Sequence, residues 1–148
     1  MNRRVNVRGI IWQDKKLFCQ QLVHKPDEPA WDPYWCTPGG GVEDGESIHE
    51  ALMREMVEET GIKPEIGRLL FVQQFFDGEK EQLEFFFHIT NANDYRQIDL
   101  SATSHGTIEV DVCEFVDPKS ERVLPAFLME LDISEYVSGA LPVYFSKE

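Results

Sequence analysis

Seven residues between positions 40 and 61 stand at spacings that leave the chain little freedom. They are Gly40, Glu46, Arg54, Glu55, Glu58, Glu59 and Gly61, with bulky apolar Met56 and Ile62 set among them. Ser47 followed three residues later by Glu50 is a capping box, in which the two side chains satisfy the first backbone N–H groups of a helix. Gly61 suits the left-handed conformation that ends one. The residues between are good helix formers without a proline. The spacing therefore predicts a helix between Ser47 and Gly61.

At about 100° per residue, Glu55, Glu58 and Glu59 fall within roughly one 100° arc of that helix. Leu52, Met53, Met56, Val57 and Thr60 fall on another, mostly apolar arc and are expected to face the core. Three carboxylates on one arc repel one another, and Glu55 and Glu59 are an i,i+4 pair. Arg54, four residues before Glu58, offers partial relief. A hard divalent cation would do more, since Mg2+ takes oxygen ligands, keeps several waters and is shared with substrate phosphates. A solvated acidic face is the alternative.

Pro38, Gly39, Gly40 and Gly41 precede the helix and predict irregular structure. Glycine permits positive φ and close approach of backbone to a ligand. A glycine-rich loop near a helix start can offer N–H groups to a phosphate. A plain tight connection is the other reading.

The net charge of −13 argues against non-specific binding to nucleic acid or an anionic membrane, which needs a basic patch. It also looks wrong for an enzyme acting on phosphates, unless bound metal inverts the local field. The chain of 148 residues, 42% hydrophobic, reads as one domain over 1–148. No apolar run of 18 residues and no secretory leader is visible. Cys19, Cys36 and Cys113 form no CxxC pair and read as reduced thiols in the cytoplasm.

In chain order, 5–12 and 17–23 predict two strands around a turn at Asp14 and Lys15. Residues 24–33 read as a proline-punctuated loop. Trp31, Tyr34 and Trp35 crowd its end, either as cover for the core or as a stacking surface for a flat base. Trp35 to Pro38 predicts a short strand. Residues 66–76 and 82–90 predict a hairpin about Asp77 and Gly78. Residues 91–106 read as a loop long enough for a substrate lid. In 107–116 clean alternation slips after Val112, which predicts a bulge. Residues 118–133 predict a second helix begun or kinked at Pro125, and 136–148 a short final element.

The spacing of the seven positions, with Met56 and Ile62, resembles the Nudix box at every constrained position. At about 7% usage per position, a chance match in this chain would be on the order of one in a million. Trp35, Pro38 and Gly39 ahead of the box and the order of elements also resemble the family. The resemblance implies an α/β fold, a Nudix-type α/β/α sandwich with a mixed β-sheet and the box helix packed against it. It implies Mg2+-dependent hydrolysis, with Mn2+ a possible substitute, of a diphosphate linkage in a nucleoside diphosphate joined to another group. ADP-ribose-like sugar nucleotides, dinucleoside polyphosphates and modified nucleoside triphosphates stay open. It makes Glu55, Glu58 and Glu59 metal ligands, Glu55 a candidate base, and Arg54 the residue that orients the box carboxylates. Glu46 is the outer, structural glutamate. Gly39, Gly40, Gly41 and Trp35 are candidate substrate contacts. Family members often add an acidic residue from outside the box, for which Glu109 is the first candidate, followed by Asp111 and Glu114. A homodimer is common in the family. The alternative is a Nudix domain that senses a nucleotide without turnover, though such domains usually show a degraded box.

Overall fold

The structure, a computed structural model, describes residues 2–22, 33–98 and 110–147, with the side chains of Val110 and Asp111 outside that description. Two sheets form the centre. In the first, β10 (Tyr144–Lys147), β6 (Ile66–Phe76), β7 (Glu81–Ile89), β1 (Arg3–Ile10) and β5 (Gly39–Gly41) lie in that order. β1 runs parallel to β7 and β10 parallel to β6, while β6–β7 and β1–β5 are antiparallel, so the sheet is mixed. In the second, β2 (Trp12–Gln13), β3 (Lys16–Leu22), β4 (Trp35–Cys36) and β9 (Val123–Leu124) follow one another, and β8 (Val110–Val116) also pairs with β3. Asp14 and Lys15 take positive φ between β2 and β3.

Period-2 alternation splits β1 between two apolar layers. Val7 points toward α1 (Ile48–Thr60), where it packs with Leu52, Met56, Phe87 and Ile89. Ile10 belongs to the other layer, with Trp35, Phe71, Phe86 and Phe127. That second layer is closed by α2 (Phe127–Glu130) and α3 (Ile133–Val137), through Leu128, Ile133 and Tyr136. The result is an α/β/α sandwich. α1 comes close over Gly9, where an added Cβ would sit 3.3 Å from the Met56 sulfur.

Four expectations are corrected. The glycine run is not irregular, since Gly39–Gly41 pair in register with Arg8, Val7 and Asn6. The predicted second helix is divided: Val123 and Leu124 pair with Trp35 and Cys36 as a parallel ladder, and Asp132 caps a new helix by accepting from Ser134 N–H. A branched apolar residue suits a ladder, and an aspartate suits an N-cap, better than either suits a helix interior. Val57 is 42% exposed rather than in the core. Part of the expected loop, Ala92–Tyr95, is a 3-10 turn whose Tyr95 ring packs on Phe18; residues 99–106 lie outside the described residues. The expected bulge is present, where Gln21 pairs with Val112 and Leu22 with Val110, leaving Asp111 as the extra residue. No helix among the described residues is long and apolar enough to cross a membrane.

Candidate active site

α1 begins and ends as its caps dictate. Ser47 Oγ accepts from Glu50 N–H at 3.1 Å, and Gly61, at φ 76°, donates its N–H to the Val57 carbonyl. This fixes the rotation of the helix, and with it where the four functional side chains emerge.

Arg54 is the hub. Its Nε and Nη2 donate to the two carboxylate oxygens of Glu46 at 2.7 and 3.0 Å. Nη1 donates to Glu55 at 3.0 Å and to Glu58 at 3.3 Å, and Nη2 also reaches the Gly41 carbonyl at 3.1 Å. A planar guanidinium offers donors in a fixed fork, so one side chain ties the helix, its lead-in loop and β5 together. The bonds from Arg54, with one from the Glu43 N–H, push the Glu46 carboxyl down to about 2. The same carboxylates hold the guanidinium above its ordinary range, Glu46 first.

Glu59 behaves differently from its neighbours. The sequence places it on one arc with Glu55 and Glu58, apart from the core-facing arc, but it is 4% exposed, beneath β5. The Gly39 N–H donates to its Oε2 at 3.0 Å, and the Gln20 side chain also hydrogen-bonds it. Burial, and then the charge of Glu55, push its carboxyl up to about 8 against the bonds from Gly39 and Gln20 and the charge of Arg8. Removing a carboxylate from water beside a like charge favours its protonated form.

Two glycines are required by this arrangement. At Gly39, φ is +143°, and an added Cβ would run into the Val7 carbonyl. At Gly40 an added Cβ would lie 2.6 Å from the Glu55 carboxylate. The bare backbone therefore leaves room beside Glu55 that any side chain would fill. That cradle and the hard oxygen donors of Glu55 and Glu59 fit a divalent cation. Among the described residues no three His, Cys, Asp or Glu side chains already converge in metal-holding geometry. Glu55 and Glu58 turn to Arg54 instead, as like charges do when a nearby cation is there to take them.

Of the remaining candidates, Glu109 lies outside the described residues. Glu114 is exposed and follows Cys113, whose thiol feels the charge of Glu59. Strand alternation therefore turns Glu114 to the opposite face. Trp35 is corrected: it is 8% exposed and packed in the core, so its ring offers no open stacking face.

Two residues went unnoticed in the sequence. Gln20 reaches Glu59 from β3, and Arg8 on β1 donates to the Thr37 carbonyl at 3.0 Å and pairs with Glu84 at 3.5 Å. Arg8 continues the polar phase of Arg4 and Asn6 along β1, and Gln20 stands beside Gln21 in β3, so each reads as an outward-facing position in its own strand.

The chain matches the model of the NUDIX domain over residues 2–128. The chain belongs to the Nudix hydrolase family. A Bacillus subtilis protein provisionally named 8-oxo-dGTP diphosphatase is 34% identical over 125 residues, 82% of this chain and 73% of that one. An ADP-ribose pyrophosphatase of Methanocaldococcus jannaschii is 41% identical over 68 residues, covering 46% of this Nudix chain and 38% of that protein. The solution structure of the E. coli ORF135 protein superposes with a TM-score of 0.69 at 22% identity, over 93% of this chain and 94% of that one. A MutT NUDIX hydrolase from Burkholderia pseudomallei gives 0.69 at 18% identity, over 88% and 98%. Both carry the same fold as this Nudix domain.

Proposed function

We propose that this chain hydrolyses a diphosphate linkage in a nucleotide derivative with the help of Mg2+ held by its box glutamates. The chain shares the chemistry of its family: it is a Nudix pyrophosphohydrolase that acts on phosphoanhydride bonds. The hydrogen-bonded set around Arg54 supports the Mg2+-assisted step, because it presents Glu55 and Glu58 beside buried Glu59 and bare Gly40.

Glu55 and Glu59 would hold the metal, with Glu58 joining from its place beside Arg54. When bound, Mg2+ neutralises phosphate charge and activates or orients the attacking water. The chain's own residues do the positioning. Arg54 keeps Glu55 and Glu58 from swinging into solvent, and Glu46 keeps Arg54 in place. The Gly39 N–H fixes Glu59, and Glu55 is the candidate to accept the proton of the attacking water. Gly40 and Gly41 let phosphate approach the backbone closely. Glu109 is the proposed outer acid. Glu109→Gln should then cost much more turnover than Asp111→Asn; equal small losses would remove it from the mechanism.

The relatives named above make ADP-ribose and 8-oxo-dGTP the first substrates to try, together with a dinucleoside polyphosphate. At least one should be hydrolysed in millimolar Mg2+ and none in EDTA. Binding of these nucleotides without turnover under either condition would contradict the reading and favour a nucleotide-sensing role.

A further inference from the structure

A cavity of about 430 Å3 lies on the face of the first sheet opposite α1. Its walls are apolar or aromatic at Leu22, Tyr34, Phe75 and Leu124, and polar at Arg8, Gln73 and Glu84. Thr37, two residues before the amide that holds Glu59, also lines it, so the cavity adjoins the carboxylates along the chain itself. Its size and flat apolar walls suit a nucleobase, and its polar groups meet the edge of one.

Those groups are specific. Glu84 is 7% exposed and sits 3.5 Å from the Arg8 Nε. Gln73, its cross-strand partner on β6, is 4% exposed, and among the described residues its Oε1 has no hydrogen-bond partner. A buried amide oxygen without a donor carries a desolvation cost, which turning the amide toward a ligand N–H in the cavity would relieve.

We propose that this cavity takes the base of the substrate and selects a guanine-type edge, with Glu84 accepting its adjacent N–H groups, Arg8 donating to its carbonyl and Gln73 Oε1 accepting the second hydrogen of its amino group. The inference rests on the proposed action on nucleotides and names the class of base. A carboxylate beside a guanidinium offers two acceptors next to a donor. Guanine presents the complement, with N1–H and the N2 amino group beside the O6 carbonyl. Adenine and cytosine set an amino group beside a bare ring nitrogen, which would face a carboxylate lone pair. Uracil flanks its one N–H with two carbonyls. Each of these leaves a buried polar atom opposed, and a site built for hydrogen bonds rejects a ligand that leaves them unmade.

The test is calorimetric titration of GMP, AMP, CMP and UMP into the metal-free protein, which reads the cavity without turnover. GMP should bind at least tenfold more tightly than the other three. Glu84→Gln should remove most of that preference. Because Glu84→Gln leaves Arg8 without its charged partner and can unfold the chain, Gln73→Met is the second variant. It should keep or raise the melting temperature, since no hydrogen bond to Oε1 is lost, while weakening GMP at least threefold relative to UMP. Equal affinity for all four nucleotides, an intact preference in Gln73→Met, or an equal fall for all four would overturn the proposal. Selective GMP binding with no metal-dependent hydrolysis of GTP or of the nucleotides named above would leave the cavity standing and sink the hydrolytic reading instead.

Discussion

The Gly39 amide donates to Glu59 across 3.0 Å, joining the first glycine of the box loop to the last glutamate of the box helix. The bond holds a carboxylate under the strand where water hardly reaches it. Its carboxyl is raised from an ordinary 4.5 to about 8, by burial first and then by Glu55. A raised carboxyl pKa means that the contribution of Glu59 to stability is full below about 4.5 and is lost as pH rises through about 8. In EDTA, the melting temperature of the wild type should therefore fall relative to Glu59→Gln between pH 5 and pH 9. The glutamine keeps an oxygen for the Gly39 N–H. Parallel melting curves for the two proteins across that range would contradict this account of Glu59.

The fork between Arg54 and Glu46 acts with the opposite sign. Glu46 is lowered from 4.5 to about 2, so its contribution is present above about 4.5 and is lost as pH falls toward 2. Arg54→Lys cannot make both bonds to Glu46, and should lower stability at pH 7. Chemical denaturation at pH 7 and pH 3 checks both points. The gap between wild type and variant should narrow at the lower pH, and a constant gap would show that the fork is not the source.

Gly40→Ala places a methyl group 2.6 Å from the Glu55 carboxylate. The helix side chain has to move, and turnover should fall at least ~10²-fold, as when a group stabilising the transition state is displaced. Stability should drop by only about 1–3 kcal/mol, the usual cost of overpacking. Kinetics beside thermal melting separate the two effects.

Leu52→Ala tests the packing of α1 on the sheet. Leu52 is fully buried against the layer around Val7 and Ile89. The loss should be about 2–5 kcal/mol, read by denaturant titration. Loss of activity in step with loss of folded protein would identify the residue as purely structural.

The sequence made α1 legible because both ends are written locally: Ser47 and Glu50 at one, Gly61 at the other. The hairpin at Asp77 and Gly78 was legible for the same reason. What stayed hidden depends on contacts distant along the chain. Glu59 shares its helical arc with Glu55, and nothing in the helix reveals that β5 buries Glu59 under the Gly39 amide while Glu55, beside Gly40, stays partly open. The glycines form a strand only because β1 supplies the ladder. Arg8, Gln73 and Glu84 come from three strands, and only the sheet register brings them together. Val123 and Leu124 carry a helical pattern, but Trp35 and Cys36 give them a partner strand.

The most direct test of the hydrolytic account is the Mg2+-dependent turnover of Glu55→Gln beside Glu114→Gln, both measured with the best substrate and normalised to folded protein. Glu55 lies against the Gly40 cradle, whereas Glu114 is an exposed carboxylate on the far face of its strand. The account predicts a loss of at least ~10²-fold for Glu55→Gln with its melting temperature kept, and a change within about twofold for Glu114→Gln. Equal turnover in the two variants, or full turnover of the wild type in EDTA, would contradict it.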